Sequence, residues 1–330
     1  MIRLFRRLLA MKYFSVIIFF INILFSDGPY TVDTITEQDG LRNGPEYSGG
    51  IAYYPTDADG PLPIIVMVPG FVSPISSIED WGPYLASYGV VTMFVNVNSI
   101  FDDPYERADA LLDGLISIKL ENDRTNSPLF DMLNVIDVAV GGWSMGGGGA
   151  QLAAQQDTSI KTVVALSAWL QNSNDSYNNN TPIIFFSGQF DNVASNNFHT
   201  NVFYNNTPND IDKLLFEITW GNHNTVCSPY NNEEMGLKTL YMIEKYILND
   251  ATNCELLIES PADASDFSTN IECITELPGD LNQDFLFNIQ DIVLLVDIIL
   301  NNEFIEAGDL DFNGVVNILD VIQLIDLILD

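Results

Sequence analysis

Gly142-Trp143-Ser144-Met145-Gly146 puts a serine between two glycines at the point where the chain changes character. Before it, Val135-Ile-Asp-Val-Ala-Val140 reads as a short apolar strand; after it, the Gly- and Ala-rich run 147–154 reads as helix. G-x-S-x-G in that setting is a nucleophile elbow, a strained turn that lifts the serine hydroxyl above a sheet. The glycines avoid side-chain clashes in the turn, and the helix start aims free N–H groups where an oxyanion can be held. The bland alternative is a Gly-rich loop with an incidental serine. Strand, motif and helix in succession argue against it.

Serine is a weak nucleophile unless a histidine takes its proton and a carboxylate orients that histidine. The chain has two histidines, so the base can be chosen by elimination. α/β-Hydrolases order the triad Ser, acid, His, with the histidine on the loop after the final strand. His223 follows the strand expected at 213–219, whereas His199 falls in the helix expected between two strands. The acid follows from the same logic. Asp191 comes just after the apolar strand 182–187, at the carboxyl end where open α/β sheets carry their sites. Asp157, Asp175 and Asp212 read as surface or loop acids. The oxyanion donors are expected to be the backbone N–H groups of Met145 and of Phe71, on the loop after Val66-Met-Val-Pro-Gly70.

Positioning these groups takes strands at 47–54, 62–68 and 90–97, a helix at 104–120, then strand–helix alternation through 135–154, 162–166, 182–187 and 213–219 to a helix at 233–248. Such alternation implies a mostly parallel sheet with helices on both faces. The Asn/Ser/Asp stretch 171–180 reads as a loop.

With 330 residues, 47% of them hydrophobic and 17% charged, the chain is globular and long enough for two domains. Twelve basic against 45 acidic residues give a net charge of −33, which repels nucleic acid and anionic membranes. The N-terminus carries Arg3, Arg6, Arg7 and Lys12, then an apolar stretch from Tyr13 to Phe25, and reads as a secretory signal over 1–26. A stretch of thirteen residues is short for a membrane span; an uncleaved anchor is the minority alternative. Removing the segment takes four basic residues and no acid, moving the charge to about −37. For an exported chain with three cysteines, one disulfide and one free thiol is the simplest arithmetic. Cys254 and Cys273 make the natural pair, leaving Cys227 alone.

After Cys273 the composition changes. Asp280, Asn282, Asp284, Asn288 and Asp291 recur 29 residues on as Asp309, Asp311, Asn313, Asn317 and Asp320, each set followed by an apolar helix, 292–300 and 321–329. Oxygen donors at loop positions 1, 3, 5, 9 and 12 are a calcium pattern. The repeat resembles a tandem dockerin-type module, with aspartate at position 12 in place of the EF-hand glutamate. The second loop keeps a turn glycine, Gly314; the first has Phe285 there.

Residues 28–273 also carry Gly28-Pro-Tyr-Thr-Val, Val68-Pro-Gly-Phe, Ser76-Ser-Ile-Glu-Asp-Trp-Gly-Pro-Tyr-Leu-Ala-Ser-Tyr-Gly89, Gly142-Trp-Ser-Met-Gly-Gly-Gly-Gly149, Ala168-Trp and Gly221-Asn-His. In these stretches the chain resembles the polyesterase–lipase–cutinase family, especially its poly(ethylene terephthalate) hydrolase branch. The resemblance implies Ser144, Asp191 and His223 as triad, and Phe71, Met145 and Trp169 lining a cleft with Trp143 and Val193 nearby. It also implies the Cys254–Cys273 bridge. A second bridge known in the branch is absent, since no cysteine precedes Asp191, and Phe71 replaces a common tyrosine.

The resulting expectation is an α/β-hydrolase domain at 27–274 and a small all-α, dockerin- or EF-hand-like calcium-binding module at 275–330. The chain would be a secreted serine esterase acting on polyester or other bulky esters, with no catalytic cofactor. Calcium would sit in the module, whose partner would be cohesin-like or cell-surface material. The rivals are a lipase or general carboxylesterase, and a calcium-dependent attachment protein with an inert hydrolase domain.

Overall fold

The computed structural model describes residues 28–173, 175, 180–273, 278–282 and 286–329. The secretory segment at 1–26, the domain boundary at 274/275, residues 174 and 176–179 of the polar loop, and Asp284 with Phe285 lie outside the described residues.

The strands are β1 (Val32–Thr36), β2 (Tyr47–Pro55), β3 (Ile64–Val68), β4 (Val91–Val97), β5 (Val138–Trp143), β6 (Ile160–Leu166), β7 (Ile183–Gly188), β8 (Lys213–Ile218) and β9 (Ala264–Thr269). They form one sheet in the order β1-β2-β4-β3-β5-β6-β7-β8-β9. From β4 across to β8 the strands run parallel, and the pairs β1–β2, β2–β4 and β8–β9 are antiparallel.

Side chains alternate across the pleat, so one strand feeds two cores. In β3, Ile64, Val66 and Val68 enter the first core and Ile65 and Met67 the second. The first core is closed by α2 (Pro104–Glu121), α3 (Met145–Ala154) and Phe203 of α4 (Thr200–Asn206). The second is closed by α1 (Trp81–Ser87), α5 (Glu233–Ile247) and α6 (Cys254–Ile258). Helix α2 starts where its sequence demands: Asp103 and Glu106 form a capping box around Pro104.

The expected strand at 135–140 is displaced to 138–143. Asn134 accepts the Ile136 and Asp137 N–H groups in a turn, which leaves Ile136 exposed. Gly141 and Gly142 instead pair with Met67 and Val68, so the strand runs up to the serine. The other expected elements match within about three residues, the largest differences being the tail helices, which begin at Ile289 and Ile318. Strand β9, beyond β8, is not legible from its polar Ala-Ser-Asp-Phe-Ser-Thr sequence; pairing with β8 makes it a strand.

Cys254 and Cys273 form a disulfide, tying α6 to the chain beyond β9, and Cys227 is free. In the tail, α7 (Ile289–Asn301) and α8 (Ile318–Leu329) pack around Leu295, Leu310, Val321 and Leu324. Among the described residues no helix is long and apolar enough to cross a membrane.

Candidate active site

Ser144 links β5 directly to α3 at φ 57°, ψ −119°, the left-handed strain of an elbow. Its N–H donates to the Leu166 carbonyl at 2.8 Å, and its own carbonyl accepts from Trp169 and Gly148 at 2.8 and 3.1 Å. The turn requires its glycines: a Cβ on Gly146 would stand 2.2 Å from the Val68 carbonyl oxygen.

Asp191 ends the turn after β7, and its Oδ1 accepts the Val193 and Ala194 N–H groups at 2.9 and 2.8 Å. Oδ2 lies 2.7 Å from His223 Nδ1, and His223 Nε2 lies 3.0 Å from Ser144 Oγ. An ionised carboxylate only accepts, so Nδ1 carries the proton and Nε2 is left to accept from the serine hydroxyl. Burial alone would raise the Asp191 carboxyl; the His223 hydrogen bond and charge, with the two N–H groups, outweigh it and hold the acid below its ordinary range. Three distant segments of sequence are thus joined in one hydrogen-bonded line. Asp157, Asp175 and Asp212 are not part of it; Asp175 accepts from Tyr105 and Asp212 from Tyr246.

Met145 is the first residue of α3, where N–H groups lack intrahelical acceptors. The loop carrying Phe71 lies against the elbow, since a Cβ on Gly70 would stand 3.0 Å from Ser144 Cβ. It is fastened on both sides of Phe71: Arg107 Nη1 donates to the Pro69 carbonyl at 2.9 Å, and the Val72 N–H to the Ile100 carbonyl at 2.9 Å. Sequence reasoning missed Arg107. It is fully buried, and burial lowers its guanidinium to about 10 against the raising influence of Asp102, Glu106 and Asp103. In sequence Arg107 sits among Glu106 and Asp109 in the polar first turns of α2, so nothing there marked it as buried.

Trp143 donates its indole N–H to the His223 carbonyl. Trp169 is half-buried and lies 5.8 Å from the His199 ring at 37°. His199 stands at the N-cap position of α4 without a side-chain cap bond and packs on Phe203, and burial lowers its pKa against the opposing charge of Asp191. It stands behind Trp169, outside the serine–histidine–aspartate line. Val193 and Phe71 are exposed at the rim.

In the tail, ligand oxygens of Asp309, Asp311 and Asp320 lie within 4.8 Å of one another. Asp320 Oδ1 accepts the Leu310 N–H at 3.0 Å, Asp309 Oδ2 the Gly314 N–H at 2.7 Å, and Asn313 and Asn317 lie on the same loop. An all-oxygen donor set is chemically suited to a hard divalent cation. In the first loop, Asp291 accepts from Leu281 and Asn282 at 2.9 and 3.2 Å and from Asn288 at 2.9 Å, with Asp280 buried at the first position of the loop.

Residues 22–274 match a family model described as PET hydrolase-like. Lipase 1 of Moraxella sp. (strain TA144) is 32% identical over 228 residues, covering 68% of this chain and 67% of that protein. Cutinase est2 of Thermobifida alba is 28% identical over 239 residues, 71% of this chain and 75% of that one. Cutinase cut1 of Thermobifida fusca is 28% identical over 240 residues, 72% and 71% respectively. The matched span stops before the acidic loops of the tail.

Proposed function

The chain belongs to the PET hydrolase-like family and is a carboxylic ester hydrolase, and from that premise we propose that it is a secreted serine esterase of cutinase type that cleaves polyester or other bulky esters through an acyl-enzyme. The observation that carries the reading is the continuous line from Asp191 Oδ2 through His223 to Ser144 Oγ, at 2.7 and 3.0 Å.

In this mechanism Ser144 Oγ attacks the ester carbonyl carbon as its proton passes to His223 Nε2. The imidazolium that forms is stabilised by Asp191. The Met145 and Phe71 N–H groups hold the tetrahedral oxyanion. Collapse expels the alcohol, which takes the proton from Nε2 and leaves an acyl group on Ser144. A water then attacks, giving its proton to Nε2, and the carboxylic acid departs with the serine restored. The open rim around Phe71 and Val193, both solvent-exposed, favours a substrate too large for an enclosed pocket.

The C-terminal module is proposed to take calcium in its second loop through Asp309, Asp311, Asn313, Asn317 and Asp320, and in its first through Asp280, Asn282, Asp284, Asn288 and Asp291. The ion supplies folding energy to the module and has no part in ester cleavage. The module in turn would attach the enzyme to a cohesin-like or cell-surface partner.

The lipase similarity favours triglyceride as the second reading. Product analysis on a polyester film beside a triglyceride emulsion, with Ser144→Ala as control, decides between them. Aromatic or diol products from the film support the first reading. Fatty acid release alone supports the second, and activity surviving Ser144→Ala removes both.

A further inference from the structure

Each of the loops that bring the acid and the base carries a large aromatic side chain into water. Phe190, directly before Asp191, is 55% exposed, and Trp220, three residues before His223, is 79% exposed. Their rings pack on each other with centroids 5.6 Å apart and planes at 39°. The backbone fixes the pair. The Phe190 N–H donates to the Gly221 carbonyl at 2.7 Å, and Gln189 Oε1 accepts the Trp220 N–H at 3.1 Å. Trp220 also sits at φ 62°, a left-handed conformation that disfavours bulky residues. Strain and exposure together are unfavourable for a tryptophan that contributes to neither core.

The sheet order places this pair relative to the nucleophile. Strands β3 to β8 are parallel, so their carboxyl ends share one edge, with Ser144 after β5 and the pair after β7 and β8. Two to three strand spacings separate them, roughly 10–14 Å across the sheet. On the opposite flank Phe71 packs against Phe101, 67% exposed, at 5.9 Å. Aromatic surface therefore continues from the cleft on both sides of Ser144. With His223 turned in to Ser144 and the two rings turned out to water, the strand spacing suits the pair to the next unit of a long chain rather than to a small acyl group. The net charge of −33 disfavours an anionic occupant.

We propose that Phe190 and Trp220 form an outer aromatic subsite that stacks a flat, uncharged unit of an extended ester, one repeat away from the bond cut at Ser144. This rests on the esterase reading above and names the substrate class it favours: chains with rings or flat apolar repeats.

The test uses the full chain and two probes, p-nitrophenyl acetate and a soluble oligoester with two aromatic rings. Trp220→Gly suits the left-handed backbone, and Phe190→Ala removes the other ring. In each variant the ratio of kcat/KM for the two-ring ester to that for the acetate should fall about tenfold, mainly through KM. A ratio within twofold of the parent in both variants overturns the proposal, as does an equal loss on both esters, which indicates a disturbed triad. A second measurement needs no change at the pair. In the Ser144→Ala chain, a two-ring diamide should shift the Trp220 indole N–H resonance, and an unmoved resonance refutes the subsite. If the parent cleaves neither ester, the esterase reading fails, while the resonance still judges the subsite.

Discussion

Trp143 and His223, 80 residues apart in sequence, are joined by a hydrogen bond: the indole Nε1–H donates to the His223 carbonyl oxygen at 3.0 Å. The rings lie 5.1 Å apart at 42°. The residue before the nucleophile therefore holds the backbone of the residue that reaches it, across the strands β6 and β7 that separate their loops. Trp143→Phe keeps the ring and removes the donor. Loss of one neutral hydrogen bond at the base should lower kcat on a short ester about fivefold to tenfold with little change in KM. A rise in KM with unchanged kcat would show that Trp143 only shapes the cleft.

Elimination at the two histidines gives a sharper contrast. His223→Ala should reduce turnover by about 10⁴-fold or more, because His223, the proposed base, holds Nε2 3.0 Å from Ser144 Oγ. His199→Ala should be mild for a short ester, with its effect confined to substrates that use Trp169, against which His199 packs. Comparable losses from both substitutions would break the assignment.

These groups were legible because a parallel sheet presents its carboxyl ends on one edge, so a serine after β5, an acid after β7 and a histidine after β8 can meet without further information. The sequence also showed the tail repeat and the disulfide pair. It did not show what depends on distant partners. Arg107 is an ordinary helical arginine until α2 is packed against the Pro69 carbonyl. Phe190 and Trp220 become a pair only when the ends of β7 and β8 are bonded together. Strand β9 exists because β8 offers it an edge. His199 reads from sequence as a helix residue between strands; that it packs on Trp169 depends on how α4 lies against β7 and β8, which periodicity does not encode.

The thiols provide a chemical check. Burial pushes Cys227 from 9.0 up to about 12, which lowers its thiolate fraction near pH 8 by about a thousandfold. Native protein should react only slowly with a thiol reagent, and unfolded, unreduced protein should show one thiol, since Cys254 and Cys273 are bridged. Three thiols would contradict the bridge. Cys254→Ser with Cys273→Ser should remove about 3 kcal/mol of stability, from the entropy of the 19-residue closure. Turnover by the folded fraction should persist, because the bridge lies away from Ser144.

The acid gives a pH dependence with a definite sign. Asp191 is held below its ordinary value of 3.8, where burial raises it but the His223 contact and the Ala194 and Val193 N–H groups prevail. Such a carboxylate contributes stability that is complete above its unfolded value and lost as pH falls through the lower folded value. Urea melts should therefore show a stability difference between the parent and Asp191→Asn that narrows as pH falls below about 4. A difference that widens on acidification would mean that the carboxylate is unfavourable where it sits.

Calcium should divide the chain into a part that needs it and a part that does not. Residues 279–330 contain no lysine or arginine, yet Asp280, Asp291, Asp309 and Asp320 are buried there. The core around Leu295, Leu310, Val321 and Leu324 is small, so the like charges of each loop weigh heavily against it. A divalent cation converts that repulsion into binding energy, and a site absent from the unfolded chain returns it as folding energy. The second loop should bind more tightly. Gly314 adopts φ 83°, the sharp turn such loops require, and a Cβ there would meet nothing within 4 Å, whereas the first loop has Phe285 at that position. Chelator titration should remove the helical signal of α7 and α8 while hydrolysis of a short soluble ester continues, because the proposed triad Ser144, His223 and Asp191 is joined by direct hydrogen bonds. Asp320→Ala should have a similar effect on the helical signal with calcium present. If EDTA stops the esterase and leaves the helices intact, the proposed division between the two parts is wrong.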